Sequence, residues 1–131
     1  MIGIVVVSHG QLAEELVKAA RNIVGEIPAI RAVSIGWGDD VTVAREAIAQ
    51  ALTEVGGEAA LILTDMFGGT PTNVSLTLLS PKVEIVTGVN LPMLIKLVTR
   101  REGDLAQAAR MVREQGKESV VVASDLLERQ T

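Results

Sequence analysis

Apolar and polar positions alternate along this chain in two distinct patterns. Short runs rich in Val and Ile predict strands, and segments with apolar residues spaced three and four apart predict amphipathic helices. The predicted strands cover residues 2–7, 30–35, 59–64, 83–87 and 118–123. The predicted helices cover residues 11–24, 41–55, 72–80, 92–101 and 103–115, and a polar tail covers 125–131. Asp39 and Asp40 are candidate N-caps for the second helix.

The order of these elements predicts the fold class. Strands and helices alternate, which is typical of an α/β protein with a doubly wound, mainly parallel sheet and helices on both faces. The first, third and fourth strands are continuous apolar runs, as expected for parallel strands buried on both sides. Residues 1–131 contain no linker or repeat, so we expect a single domain. Ligand sites in such sheets form where the strands end, near the switch point of the topology.

The composition of the chain argues against several classes of protein. The formal net charge of −4 argues against nucleic acid, whose phosphate backbone requires a basic surface. The absence of cysteine excludes disulfides and thiolate catalysis and permits a cytoplasmic location. No apolar run approaches the roughly 20 residues that a membrane helix needs, and the amino terminus lacks the features of a signal peptide.

The chain has one histidine, His9, directly after the first predicted strand. A lone histidine cannot form a multi-histidine metal site, so no metal is predicted. Imidazole is a suitable nucleophile near neutral pH. Asp65 follows the third strand, at the same predicted edge, and its carboxylate is positioned to accept the Nδ1 proton and leave Nε2 free. The alternatives that remain open are a purely structural turn histidine and a turn or N-cap aspartate.

A glycine pair follows Asp65 closely, in the segment Gly68-Gly69-Thr70-Pro71. Glycines allow the backbone to approach a ligand, and backbone N–H groups and the Thr70 hydroxyl suit a phosphoryl group. The pair alone is a weak signal. Trp37, at the end of the second strand, is expected either to border this site or a partner surface, or to anchor its loop.

Three segments together resemble one known family. Val6–Gly10 followed by a helix, Thr64–Asn73, and Gly88–Leu94 occur in the order found in the mannose-family enzyme IIA (EIIA-Man) of the bacterial phosphoenolpyruvate–sugar phosphotransferase system. The resemblance extends over essentially the whole chain. Some family members have serine where Thr70 stands, a change that keeps the hydroxyl.

The resemblance implies a function and a set of site residues. His9 would accept a phosphoryl group from HPr and pass it to a IIB protein for sugar uptake and phosphorylation. Asp65 would bond the imidazole, and Gly68, Gly69 and Thr70 would bind the phosphoryl group, with no metal and no cofactor. Over residues 1–131 the protein would be a free-standing cytoplasmic IIA domain without a IIB domain, connected to the membrane only through IIC and IID components.

The resemblance also implies a quaternary structure. In the family a fifth, antiparallel edge strand at the carboxyl terminus is exchanged between the subunits of a homodimer. In this chain that strand would lie near residues 118–123.

Two other functions are weighed against the phosphocarrier. The first is a regulatory module whose phosphorylation state controls partner binding rather than transport. The second is a receiver domain phosphorylated on Asp65. Receivers need acidic residues after the first strand and a lysine after the last strand, whereas this chain has Ser8 and His9 after its first strand and no lysine just after its last.

Overall fold

The structure, a computed structural model, describes residues 1–128; the last three residues of the predicted polar tail lie outside it. Its strands are β1 (Gly3–His9), β2 (Ile30–Ile35), β3 (Ala60–Thr64) and β4 (Val83–Val86). Its helices are α1 (Leu12–Val24), α2 (Val41–Val55), α3 (Thr70–Leu76), α4 (Leu91–Thr99), α5 (Leu105–Glu118) and α6 (Ala123–Glu128). No helix in this part of the chain is both long and apolar enough to cross a membrane.

The four strands form one sheet in the order β2-β1-β3-β4, and all neighbouring pairs are parallel. The chain first moves outward from β1 to β2 and then returns to place β3 on the other side of β1. The switch point of the topology therefore lies between β1 and β3. This arrangement confirms the predicted α/β fold with a doubly wound parallel sheet.

The core consists of two layers, one on each face of the sheet. Side chains alternate along a strand, so Ile4 and Val6 of β1 pack against α1, α4 and α5. Val5 and Val7 point to the opposite face and pack against α2 and α3. Helices thus cover both faces, as predicted, and every strand that carries a site residue is held from both sides.

Side-chain caps explain where several helices begin. Asp40 starts α2, where its carboxylate accepts the Thr42 N–H at 3.1 Å. Asn90 and Asp104 cap α4 and α5 in the same way. The prediction of Asp40 as an N-cap is confirmed. Asp39 has a different role, because its carboxylate accepts the Gly36 N–H at 2.7 Å and closes the turn that follows β2.

The carboxyl-terminal segment differs from the prediction. Helix α5 continues to Glu118, and α6 begins at Ala123, so the single chain has no strand over residues 118–123. Val120, Val121 and Val122 between the helices are 77, 59 and 64% exposed. Within the single chain the prediction of a last strand is wrong, because the three valines fit the strand pattern but no strand of residues 1–128 lies beside them. Helix α6 also replaces part of the predicted polar tail.

Candidate active site

His9 and Asp65 meet at the carboxyl edge of the sheet, at its switch point. His9 ends β1, and Asp65 directly follows the neighbouring strand β3. The Asp65 Oδ2 atom accepts a hydrogen bond from the His9 Nδ1 at 2.8 Å and another from the His9 backbone N–H at 2.9 Å. A single carboxylate oxygen therefore holds both the ring and the backbone of the histidine.

The direction of the ring hydrogen bond determines which imidazole nitrogen is available for chemistry. An ionised carboxylate only accepts hydrogen bonds, so Nδ1 carries the proton and donates it to Asp65. In the neutral ring the lone pair is then on Nε2. The side chains of His9 and Asp65 are only 20 and 11% exposed. The second oxygen of Asp65, Oδ1, is buried and accepts no hydrogen bond from residues 1–128.

The glycine turn after Asp65 packs against the edge of the imidazole. A Cβ atom built on Gly69 would lie 2.6 Å from His9 Cε1 and 3.2 Å from Nε2, so only glycine fits here without displacing the ring. Gly68 has a φ of +87°, in the left-handed region that favours glycine. Thr70 is exposed at the start of α3. The turn thus brings Gly69 to the ring, whereas neither Gly68 nor Thr70 forms a hydrogen bond with the imidazole in the described part of the chain.

Buried hydroxyl groups support this edge. The sequence suggests the Thr72 hydroxyl, with that of Thr70, as a donor to a phosphoryl group, but Thr72 is buried and has a structural role. Thr72 Oγ1 donates to the Met66 carbonyl and lies 2.7 Å from Thr64 Oγ1, which ties the start of α3 to the end of β3. Ser8 Oγ accepts the Ala13 N–H at 2.6 Å and so fixes the start of α1. The sequence feature that could have indicated these structural roles is the preference of serine and threonine for positions beside helix starts.

Trp37 packs against His9, the candidate catalytic residue. Its indole stacks on the His9 imidazole, with ring centroids 4.9 Å apart and ring planes 20° apart. The other side of the indole faces solvent, and the residue is 84% exposed. Of the two roles that the sequence left open, the structure therefore places Trp37 at the border of the site.

The described residues contain no group of three or more His, Cys, Asp or Glu side chains arranged to hold a metal ion. The groups that approach the His9 ring are the Asp65 carboxylate, the Gly69 backbone and the Trp37 indole. The chemical capacity of the site is therefore that of an oriented imidazole nucleophile with a carboxylate on one nitrogen and a glycine turn near the other.

Comparisons with known proteins agree on one family. The EIIA-man family model, described as PTS system fructose IIA component, matches residues 3–115. The PTS system fructose-specific EIIA component of Bacillus subtilis (strain 168) is 29% identical over 133 residues, covering 98% of this chain and 91% of that protein. The PTS system mannose-specific EIIAB component of Escherichia coli (strain K12) is 31% identical over 129 residues. That match covers 91% of this chain but 38% of the E. coli protein.

Solved structures give the same result. The mannose/sorbose specific IIA subunit from Enterococcus faecalis superimposes with a TM-score of 0.86 at 29% identity, covering 92% of this chain and 93% of that one. The EIIA component from Streptococcus agalactiae has a TM-score of 0.86 at 25% identity, with coverage of 95% and 99%. The family predicted from the three sequence motifs is confirmed: this chain belongs to the EIIA-man family, the mannose-family IIA components of the phosphotransferase system.

Proposed function

We propose that this protein is a phosphocarrier of the phosphoenolpyruvate–sugar phosphotransferase system. His9 accepts a phosphoryl group from the phosphohistidine of HPr and passes it to a IIB protein or domain. One observation carries the proposal: Asp65 holds Nδ1 of the only histidine, while Nε2 has no hydrogen-bond partner within residues 1–128. Membership of the family supports it. In this proposal the IIA domain acts in the cytoplasm and reaches the membrane only through IIC and IID components.

The transfer step follows from the tautomer. The Nε2 lone pair attacks phosphorus, the phosphorus–nitrogen bond to the donor imidazole breaks, and its electron pair stays on the donor nitrogen. Nδ1 keeps its proton, so the His9 ring becomes positively charged when it gains the phosphoryl group. The carboxylate of Asp65, 2.8 Å from Nδ1, offsets that charge. Onward transfer to IIB reverses these bond changes.

We propose that Gly68, Gly69 and Thr70 hold the oxygens of the phosphoryl group. Gly69 borders the Cε1–Nε2 edge of the imidazole, where the group would be attached. The left-handed conformation of Gly68 favours neighbouring N–H groups that converge on an anion. Thr70 directly follows and is exposed, so its hydroxyl is accessible to the same group. Stabilising this charge and positioning the ring are the main requirements of phosphoryl transfer.

Replacing Gly69 with alanine is expected to slow phosphoryl acceptance strongly. The new methyl group would overlap His9 Cε1, and the ring would have to move away from Gly69 to relieve the overlap. Displacement of a reacting group by about 1 Å costs on the order of 100-fold in rate. The measurement is the single-turnover rate of phosphorylation by phospho-HPr.

Gly38→Ala is the matched control for Gly69→Ala. A Cβ on Gly38 meets nothing within 4 Å, and its φ does not lie in the left-handed region. We expect the Gly38 variant to accept phosphate at close to the wild-type rate. Equal rates in the Gly69 variant and the wild type would contradict the close approach of this turn to the reacting nitrogen.

The function is tested by incubating the protein with phosphoenolpyruvate, enzyme I and HPr and measuring its intact mass. We expect a gain of one phosphoryl group that is lost in acid, as a phosphohistidine is. No adduct, or an acid-stable adduct, would overturn the proposal. Adding a IIB acceptor to the phosphorylated protein then separates transport from regulation, because a carrier gives up its phosphoryl group and a purely regulatory module keeps it.

We further propose a homodimer in which the Val120–Val122 segment is exchanged and forms an antiparallel edge strand on the partner. The support comes from two surfaces of the single chain. The three valines are exposed, and no strand of residues 1–128 lies on the outer side of β4, where Val83 forms an isolated bridge with Ser80. A groove of about 400 Å³ runs beside β4, lined by Leu76, Leu79, Ile85, Val86 and other residues. Unpaired edges favour addition of a strand.

Replacing Val121 with aspartate is expected to convert a wild-type dimer into a monomer, because the exchanged strand would then bury an unpaired carboxylate. Light scattering after size-exclusion chromatography measures the mass. Val43→Asp is the control, since Val43 is equally exposed but lies on α2. A monomeric wild type, or a Val121 variant that remains dimeric, would refute the exchanged strand.

A further inference from the structure

Trp37 is the one aromatic side chain in contact with the phosphoryl-accepting ring, within the described residues, and the mechanism above does not use it. It is the only tryptophan of the chain and remains 84% exposed although it stacks on His9. Burial therefore does not explain its position. Rings stacked at this separation attract each other beyond the area that they bury.

The turn that carries Trp37 is closed by its own hydrogen bonds. Asp39 accepts the Gly36 N–H through its carboxylate at 2.7 Å, and its backbone N–H donates to the Gly36 carbonyl at 3.2 Å. Only Trp37 and Gly38 lie between these two residues. Because β2 pairs directly with β1, this closed turn holds the indole at the edge where β1 ends in His9.

A single hydrogen bond does not fix the orientation of an imidazole. The ring of His9 turns about its Cα–Cβ and Cβ–Cγ bonds, and its one hydrogen bond, at Nδ1, leaves it room to move unless its faces or edges are blocked. The Gly69 backbone borders the Cε1–Nε2 edge, and the indole covers one face. Together the three contacts leave one orientation, with Nδ1 on Asp65 and Nε2 open.

We propose that Trp37 is a positioning residue for phosphoryl transfer, which holds the His9 ring by stacking and stabilises the positive charge that the ring gains. This proposal rests on the proposed function of His9. The Nε2 lone pair lies in the plane of the ring, so an indole on the ring face leaves the path of the phosphoryl group clear. The face of an indole attracts cations, and the phosphorylated ring with Nδ1 protonated is a cation.

The alternative role of an exposed tryptophan is to anchor a docking partner. The two roles differ in which kinetic constant they change. A positioning residue changes the maximal transfer rate within the complex, whereas a docking residue changes the donor concentration that gives half the maximal rate.

The first test is kinetic. We expect Trp37→Ala and Trp37→Leu to lower the maximal rate of transfer from phospho-HPr by about 3- to 10-fold, the range that aromatic and cation–π stacking energies imply. The donor concentration for half-maximal rate should stay unchanged, and Trp37→Phe should restore most of the rate because it keeps a stacking ring. An unchanged maximal rate in Trp37→Ala, or an increase in the half-maximal concentration alone, would overturn the proposal.

The second test does not require phosphorylation. His9 is the only histidine, so its ring signals in nuclear magnetic resonance spectra are unambiguous. We expect Trp37→Ala to remove the ring-current shift of the carbon-bound ring protons and to speed the exchange of the Nδ1 proton with water. Asp39→Ala, which opens the turn, should cause smaller changes of both kinds.

Two controls complete this test. Asp40→Ala removes a neighbouring carboxylate that caps α2 instead of closing the turn, and Val43→Ala truncates an exposed apolar side chain of α2. Both should leave the His9 signals unchanged. His9 signals that do not respond to Trp37→Ala would refute the positioning role. If the wild type accepts no phosphoryl group, the proposed function fails, while these spectra still decide whether Trp37 holds the ring.

Discussion

Replacing His9 with alanine is expected to abolish phosphoryl acceptance completely and to leave the fold intact. The variant loses the only imidazole of the chain, and no other side chain near Asp65 within residues 1–128 offers a nitrogen nucleophile. The fold should persist because the His9 backbone N–H still donates to Asp65 Oδ2, which keeps the carboxylate bonded. Intact mass after incubation with phospho-HPr and a thermal unfolding curve measure the two effects.

An adduct that persists in His9→Ala would disprove the assignment and direct attention to Asp65. A phosphorylated carboxylate is distinguished by its loss in base, because a phosphohistidine is lost in acid but is stable in base. His9→Gln provides a second variant with a side chain closer in size. It should also accept nothing, because an amide nitrogen is not a nucleophile under these conditions.

Replacing Asp65 with alanine is expected to reduce the rate of phosphoryl acceptance by about 100-fold or more while leaving the acceptor in place. The ring loses the bond that fixes its tautomer and the charge that offsets the phosphorylated imidazole. The same change leaves the His9 backbone N–H without its partner, which costs about 1 kcal/mol of stability or more. Asp65→Ala should therefore unfold at a lower temperature than His9→Ala.

Asp65→Asn separates the hydrogen bonds from the charge. The His9 backbone N–H requires an oxygen at the Oδ2 position, so the amide oxygen of asparagine should occupy it and still accept from Nδ1. The rate should then fall between that of the wild type and that of Asp65→Ala. Single-turnover rates of all three proteins measure this order. An asparagine variant as fast as the wild type would show that the charge of Asp65 contributes nothing to transfer.

The sequence predicted most of the fold because burial imposes a clear period on the apolar residues. The bounds of β2 agree with the prediction, and so do those of α2, where the pattern ends at glycines. The meeting of His9 and Asp65 was also predictable, because the ends of adjacent parallel strands share one edge. The local pattern could not predict the contact of Trp37 with His9, because this contact depends on how the turn after β2 closes.

The segment around Val121 shows a feature that the sequence pattern predicted wrongly for the single chain. Its apolar pattern indicated a strand, but a strand exists only where another backbone pairs with it, and the pattern of one chain does not identify that backbone. The Thr64–Thr72 hydrogen bond was missed for a related reason. Both hydroxyls are ordinary in sequence, and only the packing of α3 onto β3 buries them side by side.

The hydrogen bond between His9 and Asp65 joins residues that are 56 positions apart. Synthesis reaches the proposed phosphoryl acceptor with the first strand, yet its hydrogen-bonded carboxylate arrives only with the third strand. A growing or unfolded chain therefore carries the imidazole without the geometry that makes it a good acceptor. Under the proposed function, the efficiency of phosphorylation by phospho-HPr becomes a measure of native pairing between β1 and β3 in a population of chains.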